Sequence, residues 1–554
     1  MLVTLGMCKR KMSGVVRAAT RAARLFGRAE DGTLVIFALM LFVLMTMMGG
    51  LAIDLMKYEQ TRTTLQNTLD RSTLAAASLT QKLDPKSVVN DYVAKAGMSE
   101  FLTGVEIVEG LNFRQVIAKA TADAEPYFLH MVGIEELNAK GVSGAEQRIS
   151  NVEIVLVLDV SGSMQGAKLT NLKAAASEFV QTLMANDLDD RFSVAIVPYN
   201  AQVNLGATLR GKYNATFVHG VTNIDCLEVP SGAYSTIGMS RTLAMPMSAF
   251  ADPISNTTRN TTYVAATSTH GSTGATMIAN EAFCRNTVAN IVRLPSNNVT
   301  VLRAQINALV ADGNTSIMLG MKWATALIEP GARGMFNELI TQGAIPAKYS
   351  GRPFDWSDQE AMKVIVLMTD GEHVAHPLTN DPYKTGTAPI WRSTGDGNYS
   401  ILHTTRPAPN QHWVPHLGTW QATAWNSGSG VVQQTWQSVW SAQRQTWVAW
   451  QLYARALGTT DATRNTSYTN TMNLFRSNNA SAGTMNAQLQ QSCTLAKTNG
   501  VIVYGIAFEA PTNGAAQISA CASSSSHYFN ATGLQITTAF RAIASNISQL
   551  RLTQ

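Results

Sequence analysis

From Thr33 to Ile53 the chain runs 21 residues without a charged side chain, TLVIFALMLFVLMTMMGGLAI. As a helix rising ~1.5 Å per residue this run is about 31 Å long, which matches the hydrocarbon core of a bilayer. It reads as a membrane-spanning helix over residues 32–54. A cleaved secretory signal fits less well, because its apolar core is usually ~7–15 residues and ends in a small-residue cleavage site. Seven bases (Lys9, Arg10, Lys11, Arg17, Arg21, Arg24, Arg28) and two acids (Glu30, Asp31) precede the run, while Asp54, Lys57 and Glu59 come after it. The positive-inside bias therefore predicts a cytoplasmic basic segment over residues 1–31, a single pass, and an exported remainder.

The charge balance outside that leader limits what the exported part does. The formal net charge is +5, and removing residues 1–31 leaves 35 bases against 35 acids. With no basic field to neutralise phosphates, nucleic acid is excluded as a partner. Charged residues are 14% and hydrophobic residues 45%, so a disordered polyelectrolyte is excluded, and a length of 554 predicts two or more units or one unit with large insertions. Cys8 falls on the reducing side, and Cys226, Cys284, Cys493 and Cys521 fall on the oxidising side. Of three connectivities, pairing of nearest neighbours, Cys226 with Cys284 and Cys493 with Cys521, is preferred.

After the span no proline occurs until Pro85, and Leu55, Tyr58, Leu65, Leu69, Ala76, Leu79 and Leu83 keep three-four spacing, so the helix is expected to continue. Residues 55–150 read as this helix plus a small sheet module. Residues 151–554 read differently. Val152–Asp159, Arg191–Tyr199, Lys363–Asp370 and Val501–Phe508 are apolar runs of strand length, and helical patterns at Lys168–Met184, Val301–Ile328 and Met485–Thr498 alternate with them. That alternation predicts an α/β domain with a mainly parallel sheet. Two polar stretches, about 204–300 and 374–480, interrupt it as insertions. The second holds eight of the ten tryptophans, and the helical spacing of Trp436, Trp440, Trp447 and Trp450 favours a local core over a ligand platform.

At the carboxyl end of the first α/β strand stands Asp159-Val160-Ser161-Gly162-Ser163. Ligands of open α/β sheets sit at such strand ends, and a carboxylate with two hydroxyls supplies only oxygen, which suits a hard cation such as Mg²⁺. Asp370 ends a later strand, and Thr315 lies in the loop before a helix. This D-x-S-x-S pattern with its Thr and Asp resembles the metal-ion-dependent adhesion site (MIDAS) of the von Willebrand factor type A (vWA) domain. The resemblance implies a Rossmann-like fold holding Mg²⁺, or Mn²⁺ or Ca²⁺ in its place. Ser161, Ser163 and Thr315 would touch the ion, and Asp159 and Asp370 would reach it largely through water. A coordination position left open would take an acidic residue of a protein ligand or a surface target.

The span and the polar helical stretch after it resemble the TadE/TadG-like segment of tight-adherence (Tad, or Flp) pilus proteins, through Gln66-Asn67, Asp70 and Ala75-Ala76-Ala77. The ending, Cys521 to Leu552, is similar to TadG proteins. These resemblances imply a protein of the bacterial inner membrane with a periplasmic C-terminal domain, working with other Tad pilus components. It would serve as a minor pilin-like tip adhesin or surface-contact sensor, in pilus assembly, or as an anchored periplasmic scaffold. Processing by a prepilin peptidase needs Glu five residues after Gly; five after Gly27 stands Gly32, so an uncleaved anchor is expected. A Mg²⁺-dependent hydrolase would want an acid-rich pair, but position 161 is Ser, and neither a phosphate loop nor a G-x-S-x-G elbow stands at these strands. The expected class is binding, not enzyme. His403, His412 and His416 read as packing or surface residues.

Overall fold

The computed structural model describes residues 21, 31–78, 81–109, 113–148, 151–185, 187, 190–248, 259, 262–269, 274–277, 282–358 and 360–548. The basic leader with Cys8, and the Gly27 processing motif, lie outside the described residues apart from positions 21 and 31. The chain divides into two units at residues 148 and 149.

With neither proline nor a charge cluster to stop it, the apolar run continues into polar sequence as one 47-residue helix, α1 (Asp31–Ala77). It is long and apolar enough to cross a membrane. From Leu34 to Ile53 its large apolar side chains are exposed, whereas farther along Leu65, Leu69 and Ala76 are buried. Those buried residues pack on their own unit: a three-stranded antiparallel sheet, β1 (Leu102–Glu109), β2 (Phe113–Ala124) and β3 (Leu137–Arg148), in that order. Small residues on the inner face, Ala118, Ala120, Ala122 and Ala139, join this core. Gly141 admits Leu69, since a Cβ there would stand 2.9 Å from Leu69 Cδ1. Helix α2 (Pro85–Lys95) completes the core; Asp84 caps it by accepting from Ser87 N at 2.9 Å, with proline at its first position.

The second unit is built on six strands: β4 (Asn151–Asp159), β5 (Phe192–Tyr199), β6 (Arg293–Ser296), β7 (Ala361–Thr369), β8 (Ile502–Phe508) and β9 (Tyr528–Ala531). Their order is β9-β8-β7-β4-β5-β6, all parallel except the edge strand β6. The strands are apolar runs because both faces are covered. On one side Val155 and Val157 meet helices α4 (Ile317–Ile328) and α5 (Ala482–Thr498). Ile154, Leu156 and Leu158, alternating with them, are buried too. Helices α3 (Ala167–Ala185) and α7 (Gln535–Ser548) pack together through the edge-on pair Phe179–Phe540, 5.5 Å between centroids. Helix α6 (Thr512–Cys521) links β8 to β9. This α/β architecture is the one the vWA resemblance implies.

The helical pattern over Val301–Ile328 is two helices, Val299–Ala308 and α4, with the DGNTS loop between them. The DGNTS stretch breaks it: Gly313 takes φ +82°, which suits glycine, and the loop it turns carries Thr315.

The two polar stretches share one further core. Pro377–Thr379 pairs antiparallel with Arg476–Asn478 as a stem, beyond which five short antiparallel strands between 387 and 435 form a second sheet. Trp413, Trp436, Trp440, Trp447 and Trp450 are buried there together with Ile224, Ala275 and Cys284 of the earlier stretch. Trp436 and Trp440 stack at 5.2 Å. A bridge from Thr276 to Gln443 ties the two stretches. The tryptophans are therefore core residues of one composite subdomain.

Candidate metal centre

Strand order places the site. The chain leaves β4 toward β5 on one side and returns to β7 on the other, so the loops after β4 and β7 diverge at a topological switch point. Asp159 is the last residue of β4, and Asp370 directly succeeds β7.

Asp159 is fully buried, and both its oxygens are held. Oδ1 accepts Ser161 N–H at 2.8 Å; Oδ2 accepts the hydroxyls of Thr369 at 2.7 Å and Tyr199 at 3.3 Å. Ser161 Oγ lies 3.0 Å from Ser163 Oγ, which donates to Asp370 Oδ1 at 2.7 Å. Thr315 is brought alongside by the third loop: a Cβ on Gly371 would sit 3.3 Å from Thr315 Oγ1 and 3.8 Å from Ser163 Oγ. Only glycine leaves that space free. All five expected residues thus meet in one neighbourhood, from three segments up to 211 positions apart.

The neighbourhood is electrostatically lopsided. Burial, and then the negative charge of Asp370, push the Asp159 carboxyl up to about 6. Its hydrogen-bond partners are neutral donors. Among the described residues Asp370 pairs with one cation, Lys168, whose Nζ donates to Oδ2 at 2.9 Å and stands 3.8 Å from Glu509 Oε2.

The donors fit a hard divalent ion: hydroxyl and carboxylate oxygens, converging beside a glycine cradle, with more negative than positive charge at hand. Among the described residues, no group of three or more His, Cys, Asp and Glu is placed to hold a metal. His403, His412 and His416 instead lie against aromatic rings, with His403 Nε2 2.9 Å from Leu452 O. The cysteines belong to the cores, bonded as Cys226–Cys284 and Cys493–Cys521.

Four contributors escape a reading of the sequence. Tyr199 is aligned with Asp159 by the parallel register of β4 and β5, and Thr369 merely precedes the expected Asp370. Lys168 begins α3. His373 ties its loop to two helices, α4 and α5: its Nε2 accepts from Met318 N at 2.9 Å, and its Nδ1 lies 2.7 Å from Asn486 Oδ1. Only register and loop closure, neither of which is periodic, would have revealed them.

Residues 32–79 match the model of the Flp pilus-assembly TadE/G-like family. A search of curated proteins finds no match. Among solved structures, the chain is similar to the vWF domain of the type V pili tip protein Mfa5 from Porphyromonas gingivalis, with 13% identity and TM-score 0.30 over 73% of this chain and 98% of that one. It is also similar to the pilus adhesin SpaC from Lactobacillus rhamnosus GG, with 10% identity and TM-score 0.30 over 80% of this chain and 34% of SpaC. The adhesive tip pilin GBS104 from Group B Streptococcus agalactiae gives 12% and 0.30 over 72% and 100%. At these scores the likenesses carry no inference about function. The chain carries a TadE/G-like Flp pilus-assembly segment at its long apolar helix, succeeded by an α/β domain with a mainly parallel sheet.

Proposed function

We propose that this protein is a membrane-anchored, pilus-associated binding protein of the Tad/Flp type, in which Asp159, Ser161, Ser163, Thr315 and Asp370 hold a divalent cation for an acidic partner. The reading rests on one observation above others, the meeting of two strand-end loops and the loop before α4 in a hydroxyl–carboxylate cluster with surplus negative charge. When bound, Mg²⁺ would supply a Lewis-acidic position for a partner's carboxylate. Ser161, Ser163 and Thr315 present neutral oxygens, so the first shell carries little negative charge and an incoming Asp or Glu is favoured. Asp159 orients the D-x-S-x-S turn through Ser161 N–H, and the Thr369 and Tyr199 hydroxyls fix its carboxylate.

The basic leader supports a topology with residues 1–31 cytoplasmic and the α/β domain periplasmic. The test combines location with ion dependence. Sheared pili and washed membranes from cells carrying wild type or Ser163→Ala are compared by mass spectrometry, and surface attachment is scored with and without EDTA. The proposal expects equal amounts of both chains in the same fraction, with EDTA-sensitive attachment or pilus output lost in the variant. Wild-type behaviour indifferent to EDTA and matched by the variant would refute it. Recovery in pili favours the tip adhesin or sensor; recovery only in membranes favours the anchored scaffold.

A further inference from the structure

The loop between β2 and β3 contains PYFLHMVGI, residues 126–134, with no carboxylate, lysine or arginine. Tyr127, Met131, Val132 and Ile134 are 63%, 75%, 53% and 41% exposed. A cluster of large apolar side chains standing clear of its own core needs a partner.

The loop is pinned to α1 at one level. Asp54, the first charged residue after the apolar run, is buried and accepts the N–H groups of Tyr127, Phe128 and Leu129, each at 2.8 Å. About one turn earlier the Phe128 ring covers Gly50, where a Cβ would stand 2.4 Å from Phe128 Cγ. About one turn later Lys57 donates to Glu125 O at 2.9 Å, its Nζ lying 4.0 Å from the centre of the Tyr127 ring. The exposed apolar surface of α1 from Leu34 to Ile53 ends where this loop begins, so the two surfaces are continuous.

We propose that residues 126–134 lie in the interfacial layer of the bilayer, in the leaflet where the C-terminal end of the span emerges. The module would thus have a second lipid contact beside its helix. This rests on α1 being a membrane span. A tyrosine and a phenylalanine at the boundary suit the aromatic belt; Met131, Val132 and Ile134 suit the acyl margin, and Lys57 suits headgroup phosphates. Glu125, Glu135 and Glu136, which flank the loop, stay on the water side and limit its depth. Two lipid contacts joined by the Asp54 hydrogen bonds would fix the tilt of the sheet module against the membrane.

The test uses the full chain with Cys8→Ser, carrying an environment-sensitive nitrobenzoxadiazole label at Met131→Cys or, for control, at Leu83→Cys. Both positions are strongly exposed, 75% and 66%, so labelling leaves the core intact. The control lies beyond the end of α1, whose last residue is about 35 Å past Asp54 at ~1.5 Å per residue. The protein is reconstituted in phosphatidylcholine–phosphatidylglycerol vesicles, and retention is measured after an alkaline wash. Quenching by lipid brominated near the headgroup end of the chain is then compared with quenching by aqueous iodide. The proposal expects the label at 131 to be quenched severalfold more by bromolipid than by iodide, and the label at 83 to show the reverse. Iodide quenching at 131 equal to that at 83 would overturn it. Shielding at 131 from both quenchers would overturn it too, because a protein would then cover the loop. Loss of the chain in the wash would sink the span reading and this one together, and is read before any fluorescence.

Discussion

The two ends of the strand pair β4–β7 both bury a carboxylate, and they treat it oppositely. At the amino end Glu153 pairs with Lys363, its neighbour in the parallel register, and lies 3.9 Å from Arg352 Nη1, while Phe354 N–H donates at 3.1 Å. The cations are satisfied in turn: Lys363 reaches Ile328 O at 3.0 Å, and Arg352 reaches Val152 O at 3.2 Å. At the carboxyl end Asp159 has neutral donors and a second carboxylate nearby, and burial and that carboxylate raise its pKa. A closed ion cluster holds structure together. An anionic cluster with unmet charge is ready to take something in.

The largest effect belongs to the closed end. Glu153→Gln would strand Lys363 and Arg352 in a dry core, and losing one partner of a buried pair costs about 3–5 kcal/mol. All ten tryptophans lie in the α/β unit, so urea unfolding monitored by their fluorescence reports on that unit alone. A large drop in midpoint with unchanged Mg²⁺ affinity is expected; lost affinity with no change in midpoint would reverse the assignment of the two ends.

Acid should loosen the open end, where an uncharged imidazole does the clamping. Burial lowers the His373 pKa from 6.5 to about 4, so between those values the unfolded chain binds the extra proton. His373 therefore contributes stability in full above pH ~6.5, and loses it as pH falls toward 4. Since His219 and His376 are lowered to about 4 as well, the diagnostic is a difference. His373→Gln should lose less stability than wild type across that window, by up to about 3 kcal/mol. Equal acid titrations of stability would show that His373 is not the sensitive clamp.

Smaller still is the effect of the cation paired with Asp370. Lys168 holds Asp370 and would oppose an incoming ion; Lys168→Met should tighten Mg²⁺ binding about tenfold, the order expected for one partly screened charge. Weaker binding would mean that Lys168 supports the site instead.

The sequence shows one of these ends plainly and hides the other. The acid after VLVL and the hydroxyls behind it announce a strand-end site, and the uncharged run before Asp54 announces a long helix. Glu153 and Lys363 look like blemishes in apolar strands, because their match depends on register, which periodicity does not encode. The composite tryptophan core is hidden for a related reason. Its halves are more than 100 residues apart, and each alone looks like polar insertion. The break before α4 is legible in DGNTS, which reads as the loop that carries Thr315.

The most direct measurement is a calorimetric Mg²⁺ titration of the full chain in detergent, wild type against Asp159→Asn. The amide oxygen would keep the Ser161 N–H bond, and its NH₂ would meet the Thr369 and Tyr199 hydroxyls, so the variant should remain folded. Saturable one-to-one binding by wild type, abolished in the variant with an unfolding midpoint no lower than that of wild type, is the predicted result. Equal Mg²⁺ affinity in the two proteins would contradict the metal centre.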